Sequence, residues 1–568
     1  MSQANVTSHV QSLVEADRKL ASAGSPFELR NEVVLGETLP VFAQRLPNIG
    51  ALLDRAANFG DAEFLVFERG PRISFAEHDR LVVAVADGLH RRHGVTKGSR
   101  VGIFSANNLG WVLVAHACAK LGAVAVAYNS WWTAEELRHA LAATSPLLVF
   151  ADAKRRDTLD TLTDLPPVLD CERVAEDLGS QDDVTAGAAG TNETAVDEDD
   201  PWLLIFTSGT SGRPKAAVLS HRSMIAFVQL NAYMGARGQV LRGGSDAAPA
   251  PTVCRLAVFP LFHISGMGSL AASLAFGHKT VWPAGRFDPQ RVIELTKRER
   301  ITLWGGASTH LARLLNHADV DSVGAQLLQV GIGGSASTPA LIELSEARLP
   351  HLRGTFSSGY GMTECGGLAT FASNVFLRWT PDCVGPALPT VQVKIVDDRG
   401  DEVPEGEVGT ICIRSPLVML EYWNNPTANS TALMPGRWLR TEDFGRLEAG
   451  ILFLASRRRD LIIRGGENIY PGEIENALEN HPDVLETAVF GVDDVEYGQV
   501  VHALVVVEPG STLTAPELSD YLTAQLAYYK VPARIEIRSR PLPRSATGKV
   551  LKHLIESQTE HLAPAEPV

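Results

Sequence analysis

Trp202-Leu-Leu-Ile-Phe-Thr-Ser-Gly-Thr-Ser-Gly-Arg-Pro-Lys215 is an apolar run that passes without a break into a loop of hydroxyls and glycines. A short apolar run that ends in a turn predicts a buried strand, here Trp202 to Phe206. The small residues Thr207, Ser208, Gly209, Thr210, Ser211 and Gly212 let backbone amides close on a polyphosphate, and their hydroxyls add donors. Pro214 stiffens the exit and Lys215 supplies a positive charge. The loop is not a Walker A loop, because only two residues separate Gly209 from Gly212 and Lys215 stands three beyond. Read alone, it is either a phosphate cradle or an ordinary Ser/Gly turn.

The sequence before this stretch alternates helices and apolar strands. Phe75 to Arg92 has helical periodicity, Arg100 to Phe104 reads as a buried strand, and Trp111 to Leu121 as a helix. Val124 to Ala127 and Leu147 to Phe150 are further strands. Thr133 and Glu136 have capping-box spacing, so a helix starts between them. Such alternation predicts a largely parallel sheet covered on both faces. Trp111 to Tyr128 is the most apolar segment, but His116, Lys120 and Gly122 interrupt it, so it predicts a buried helix and strand rather than a membrane span. Asp182 to Asp200 and Gly235 to Pro251 read as loose connectors. From about Gln392 short strands with acidic and glycine turns predict a β-rich lobe. After about Leu461 helices such as Glu473 to Asn480 alternate with strands such as Val500 to Val507.

The chain has 568 residues, enough for about three or four domain-sized lobes. Its 45% hydrophobic and 21% charged residues are ordinary for globular proteins. A net charge of −15 disfavours a nucleic-acid partner. The six cysteines form no CxxC pair, which argues against a zinc site or a disulfide scaffold and suits a reducing cytoplasm. The first residues show no secretory apolar core, so a cytoplasmic location is expected.

Further motifs follow in order. They are Pro260-Leu-Phe-His-Ile-Ser-Gly266, Gly333-Gly-Ser-Ala336, Ser358-Gly-Tyr-Gly-Met-Thr-Glu364, Leu439-Arg-Thr-Glu-Asp443 and Ser456-Arg-Arg-Arg-Asp460. Two more lie near the end, Ile463-Arg-Gly-Gly-Glu-Asn468 and Pro541-Leu-Pro-Arg-Ser-Ala-Thr-Gly-Lys549. With Thr207 to Lys215 at their head, they resemble the adenylate-forming superfamily, and within it the acyl-CoA synthetases and fatty-acid–CoA ligases. The resemblance covers roughly Phe75 to the C-terminus.

That resemblance implies an α/β fold. A large N-terminal domain, residues 1–458, would hold layered, mostly parallel sheets and a small β-barrel-like lobe. A smaller, mobile α+β domain, residues 459–568, would carry the catalytic lysine and the CoA-channel loop. It implies a reaction of a carboxylic acid, ATP and coenzyme A through an acyl-adenylate, with Mg²⁺ as cofactor.

For the site, it implies that Thr207, Ser208, Gly209, Thr210, Ser211, Gly212 and Lys215 hold phosphates. Gly334, Ser335 and Ala336 would form one adenine wall, and Ser358, Gly359, Tyr360, Gly361 and Met362 the other. Thr363 would bond the α-phosphate, Glu364 would hold Mg²⁺, Asp443 and Arg457 would take the ribose, and Arg459 would be the hinge. Gly465, Gly466 and Glu467 would line the thiol channel, and Lys549 would act on the reacting carboxylate. His263 would lie near that carboxylate, although a lone His after an apolar strand is as often a packed core residue. Three positions depart from the family pattern. Ala216 and Glu442 each stand where the family has Gly, and Ser456 where it has Gly or Asp.

The expected acyl pocket, from Phe262 to Met267, Trp304 to Ser308 and Val330 to Gly334, holds few charges. It therefore favours an apolar acid over an amino acid, whose ammonium would need a buried carboxylate. A medium- to long-chain fatty acid is the first expectation. The alternatives are an aromatic, alicyclic or steroid acid, or transfer to a carrier protein instead of CoA. Weak membrane association and a homodimer stay open, and no basic amphipathic helix supports the former.

Overall fold

Pro201–Thr207 forms an inner strand of a six-stranded sheet, parallel to Val124–Ala127 on one side and antiparallel to Lys215–Ser220 on the other. Arg100–Phe104, Leu148–Ala151 and Val168–Asp170 extend the sheet in parallel register. The computed structural model describes residues 3–179, 195–207, 214–243, 253–285, 287–333, 339–380, 382–457, 460, 462–464, 467–494, 497–526, 528–544, 550–552 and 555. Trp202, Leu203, Leu204 and Ile205 are wholly buried, as expected of a strand covered on both faces.

A second, eight-stranded sheet runs in the order Thr370–Ser373, Ser357–Tyr360, Gln329–Gly333, Leu303–Gly306, Cys254–Leu256, Lys279–Trp282, Glu63–Phe67 and Arg72–Ser74. Its inner pairs are parallel and its two edge strands antiparallel. Helices Ile49–Ala56, Leu109–Leu121, His221–Leu241 and Ile264–Phe276 share one apolar core with residues of both sheets, among them Leu203, Ile205, Leu65 and Trp282. This layering brings the ends of strands from different sheets to one place.

The β-rich lobe is an antiparallel sheet ordered Cys383–Pro386, Ile451–Arg457, Trp438–Glu448, Gly409–Arg414 and Gln392–Val396, with Leu433–Met434 added to Trp438–Glu448. A further sheet beyond residue 461 joins Glu467–Ile469, Ile462–Arg464, Gly498–Val507, Val484–Asp494 and Arg534–Arg538. Helices Pro471–Glu479 and Ala515–Thr523 pack Ile474, Leu478, Leu518 and Leu522 onto it in a core of their own.

The local expectations agree with these elements to within one or two residues at most ends. Thr133 and Glu136 form a complete capping box ahead of Ala134–Thr144. The segment Trp111 to Tyr128 is a buried helix and strand, and among the described residues no helix is long and apolar enough to cross a membrane. One expectation is corrected. The connector placed at Gly235 to Pro251 begins too early, because the helix from His221 continues through Gly235 and Gly238 to Leu241. Packing of that helix against Gln3–Leu20, where Tyr233 and Arg237 reach Asp17, outweighs the helix cost of glycine, about 1 kcal/mol each. Most of the connector Asp182 to Asp200 lies outside the described residues.

The helix Pro471–Glu479, packed on the last sheet, ends in a titrating carboxyl. Glu479 accepts a hydrogen bond from Thr487 Oγ1 at 3.1 Å. Burial, and then the charge of Glu475, push its carboxyl up from 4.5 to about 7. A folded carboxyl that keeps its proton longer than the unfolded one makes stability fall as pH rises between those values. Glu479→Gln is expected to remove that fall. Its gain in thermal midpoint over the wild type then grows from about pH 5 to about pH 8, which a denaturation series across that range checks.

Candidate active site

Thr207 and Lys215 stand directly opposite each other where the hairpin of the first sheet opens. The loop they bracket, with Ser208, Gly209, Thr210, Ser211 and Gly212, lies outside the described residues, but its two ends are placed. Lys215–Ser220 is not left as a bare sheet edge. Val218 N–H donates to Glu421 C=O at 2.9 Å, while Leu420 N–H and Trp423 N–H donate to Val218 and Ala216 C=O at 2.8 Å. These bonds cover the edge and fix Tyr422 against Ala217.

Tyr422 links the site together, and no motif pointed to it. Its phenol donates to Glu364 Oε1 at 2.9 Å, and Thr207 lies within hydrogen-bonding reach of the same phenol. Lys215 Nζ sits 5.0 Å from the centre of the Tyr422 ring and 3.9 Å from Glu442 Oε1. Burial, and then the Glu364 charge, raise the Tyr422 phenol far above the usual tyrosine range, so it remains a donor. Tyr422 and Glu364 are 58 residues apart in sequence, and only the apolar run Leu417-Val-Met-Leu420 ahead of the tyrosine hints at its burial.

Glu364 lies in the single turn Thr363–Cys365 that follows the strand Ser357–Tyr360, and Thr363 and Glu364 are both buried. The Glu364 carbonyl accepts Met419 N–H at 2.9 Å, which ties the turn to the segment carrying Tyr422. Gly361 is required here, because a Cβ would stand 2.7 Å from the Gly367 backbone, closer than real contacts allow. Ser358, Gly359 and Met362 belong to the same strand and turn, and Gly359 pairs with Gly333. Gly334, Ser335 and Ala336, which continue from Gly333, lie outside the described residues.

Tyr360 was expected against an adenine, and its hydroxyl does something further. It donates to Asp443 Oδ2 at 2.9 Å, with both side chains buried. Burial, and then the Asp443 charge, hold the Tyr360 phenol well above its usual range. Asp443 sits on Trp438–Glu448 directly opposite Arg457 in register, and its N–H donates to Thr441 Oγ1 at 3.2 Å. The Arg457 side chain, Arg459, Gly465, Gly466, the Glu467 side chain and Lys549 lie outside the described residues. The strand Glu467–Ile469 leads to Tyr470, whose ring is 6.2 Å from that of Phe444, next to Asp443.

Two departures from the family pattern find their explanation in backbone geometry. Ala216 lies in the strand Lys215–Ser220 and Glu442 in Trp438–Glu448, and neither has a positive φ. An extended backbone accepts a Cβ without strain, so glycine is not needed at either position. Ser456 likewise lies in a strand, paired with Phe444.

His263 occupies the N-terminal cap position of Ile264–Phe276, with its ring 4.7 Å from Phe262. The helix start approaches the Glu364 turn closely, since a Cβ on Gly367 would meet Ile264 Cγ1 at 2.9 Å. Thus Thr207, Lys215, Tyr360, Thr363, Glu364 and Asp443 come together, with His263 on the flank. The described residues contain no group of three His, Cys, Asp or Glu able to enclose a metal. Glu364 fits Mg²⁺ nonetheless, because that ion usually takes one or two carboxylates and completes its shell with phosphate oxygens and water. All six cysteines are buried, and burial pushes the nearest, Cys365, up to about 12, which makes it a poor nucleophile.

Comparison with known proteins identifies the family. The model of the AMP-binding enzyme family matches residues 52–423, and that of the AMP-binding enzyme C-terminal domain matches residues 473–549. A feruloyl-CoA synthase from Amycolatopsis sp. is 32% identical over 89% of this chain and 98% of its own length. A long-chain-fatty-acid–CoA ligase from Bacillus subtilis is 28% identical over 92% of this chain and 96% of its own. The Bacillus subtilis o-succinylbenzoate CoA synthetase, solved with its acyl-adenylate intermediate, superposes with a TM-score of 0.74 at 28% identity. That match covers 92% of this chain and 100% of that one.

The Tyr422 bond to Glu364 yields a test. Tyr422→Phe leaves a buried carboxylate oxygen without its donor and is expected to cost about 1–3 kcal/mol of stability. Saturating MgATP narrows the deficit, because a cation on Glu364 replaces what the phenol supplied. Thermal midpoints of both proteins with and without MgATP check this.

Proposed function

The chain belongs to the AMP-binding enzyme family and is an AMP-forming acid–thiol ligase, and from that premise we propose that its acid is aliphatic and of medium to long chain, a fatty acid. The observation that carries the adenylating chemistry is the buried pair of tyrosine–carboxylate bonds, Tyr422 to Glu364 and Tyr360 to Asp443, with Lys215 beside the first. One carboxylate faces the place for phosphates and the other the place for a ribose diol. The low charge of the expected acyl segments and the long-chain ligase relative support the aliphatic acid.

In this mechanism the hairpin amides and Lys215 hold the polyphosphate, and Asp443, oriented by Tyr360, accepts the ribose hydroxyls. Mg²⁺ on Glu364, when bound, offsets the repulsion between the attacking carboxylate and the phosphate. The substrate carboxylate attacks the α-phosphorus, and pyrophosphate leaves with the electrons of the broken P–O bond. Thr363 steadies the α-phosphate, and Lys549 stabilises the charge that gathers on the reacting oxygens. In the second half-reaction the small domain, from about residue 459 onward, turns so that Lys549 withdraws. Gly465, Gly466 and Glu467 then line the channel for the CoA thiol, with His263 at its inner end. The sulfur attacks the acyl carbon, AMP leaves, and the thiol proton passes to solvent. No protein nucleophile is required, in keeping with the buried cysteines.

A second reading, an aromatic acid, is supported by the open backbone at Gly305 and Gly331, where a Cβ would meet nothing within 4 Å. The feruloyl-CoA synthase relative points the same way. A panel of fatty and aryl acids assayed for CoA-dependent AMP formation decides between them. Acid-dependent adenylation without use of CoA would instead favour a carrier-protein acceptor. Lys549→Ala is expected to slow adenylation by about 10²-fold or more, while ATP still binds. Pyrophosphate release at the wild-type rate by that variant would overturn the assignment.

A further inference from the structure

Among the described residues, Arg255 stands without a counter-charge. It lies on Cys254–Leu256, an inner strand of the eight-stranded sheet, opposite Thr280 on one side and Leu303 on the other. The side chain keeps a little exposure, but its Nε is buried and has no hydrogen-bond partner. Burial alone pulls its guanidinium down to about 10, with no carboxylate acting against that. Two further unpartnered groups share its surroundings. Thr280 Oγ1 is buried and unpaired, as is His278 Nδ1, and His278 lies close enough for Arg255 to depress its titration. The neighbouring cation is treated differently. Lys279, adjacent to Thr280 and so turned to the other side of the strand, pairs with Glu63 and Glu299, as does Arg72.

The face that Arg255 shares leads to the active site. Residues two apart on a strand project to the same side, so Gly305 lies on the Leu303 and Arg255 face, and Gly331 pairs with Gly305 in register. Neither glycine has a heavy atom within 4 Å of where a Cβ would be. Side by side they leave an open strip of backbone. Two residues beyond Gly331, Gly333 pairs with Gly359, which adjoins Tyr360. Gln329, four residues before Gly333, is level with Leu303. The strip therefore runs for about 13 Å from the Arg255 level to the adenylation end.

We infer that Arg255, with Thr280 and His278, binds a second carboxylate at the far end of the acyl substrate, so that the preferred acid is an aliphatic dicarboxylate. This rests on reading the chain as an acyl-activating enzyme. A terminal carboxylate would accept from the guanidinium and the threonine hydroxyl, pairing a charge that otherwise stays desolvated. An apolar chain would lie over Gly305 and Gly331.

The test is calorimetric titration of the full-length protein with decanedioic acid and with decanoic acid, with pyrophosphate release followed in parallel. The wild type is expected to bind the diacid about 10- to 100-fold more tightly than the monoacid. Arg255→Leu abolishes that preference and leaves decanoate binding unchanged. Thr280→Val, a milder change, reduces the preference by about 3- to 10-fold. Equal binding of the two acids by the wild type, or a preference that survives in Arg255→Leu, overturns the inference. Because binding is read directly, these outcomes hold whether or not pyrophosphate appears. Diacid preference without pyrophosphate release would count against the proposed activity and leave the site standing. Release with decanoate and no diacid preference would do the reverse.

Discussion

A carboxylate taken out of water must be given a donor or a cation, and this molecule buries two, Glu364 and Asp443, within its candidate active site. Each receives a tyrosine hydroxyl from a different part of the chain. The requirement organises what surrounds it. Tyr422 can reach Glu364 only because residues 420–423 are laced along the free edge of the strand Lys215–Ser220. Tyr360 can reach Asp443 only because the strand Ser357–Tyr360 of the second sheet ends beside the antiparallel lobe. The donors fix the direction of the two carboxylates, which in the proposed mechanism take a cation and a diol.

The same bonds join separate layers. The hairpin belongs to the first sheet, the Thr363–Glu364 turn follows a strand of the second, and Asp443 belongs to the third. A nucleotide held by all three would bridge them. Lys215 sits at their meeting point, since one side chain faces the Tyr422 ring and lies near Glu442. In this chain Glu442 replaces a glycine of the family pattern without backbone strain, because its strand keeps an extended conformation.

Buried charge is treated differently on the two sides of the strand Lys279–Trp282. On one, Lys279 and Arg72 share Glu63 and Glu299, and Arg298 also reaches Glu299. On the other, Arg255 stands beside Thr280 and His278, and no described anion faces it. Desolvating a guanidinium without a partner is costly. In the inferred site the bare strip at Gly305 and Gly331 takes the apolar chain, and the far carboxylate of the ligand brings the missing charge to Arg255.

Much of the local structure was readable in the residues themselves. The apolar run Trp202 to Phe206, the alternation before it, and the cap at Thr133 and Glu136 were legible because hydrophobic period and capping spacing act between near neighbours. The order of motifs grouped Thr207, Lys215, Tyr360, Glu364 and Asp443, and the fold brings those residues together. Where glycine punctuation was read as a break, at Gly235, helix packing overrode it. Tyr422 was settled only by the tertiary structure, because its contact spans 58 residues and depends on covering a sheet edge. The same holds for Arg255, whose neighbours come from strand register rather than from the chain beside it. Pairing across a sheet is set by the whole fold, and no short window of sequence carries it.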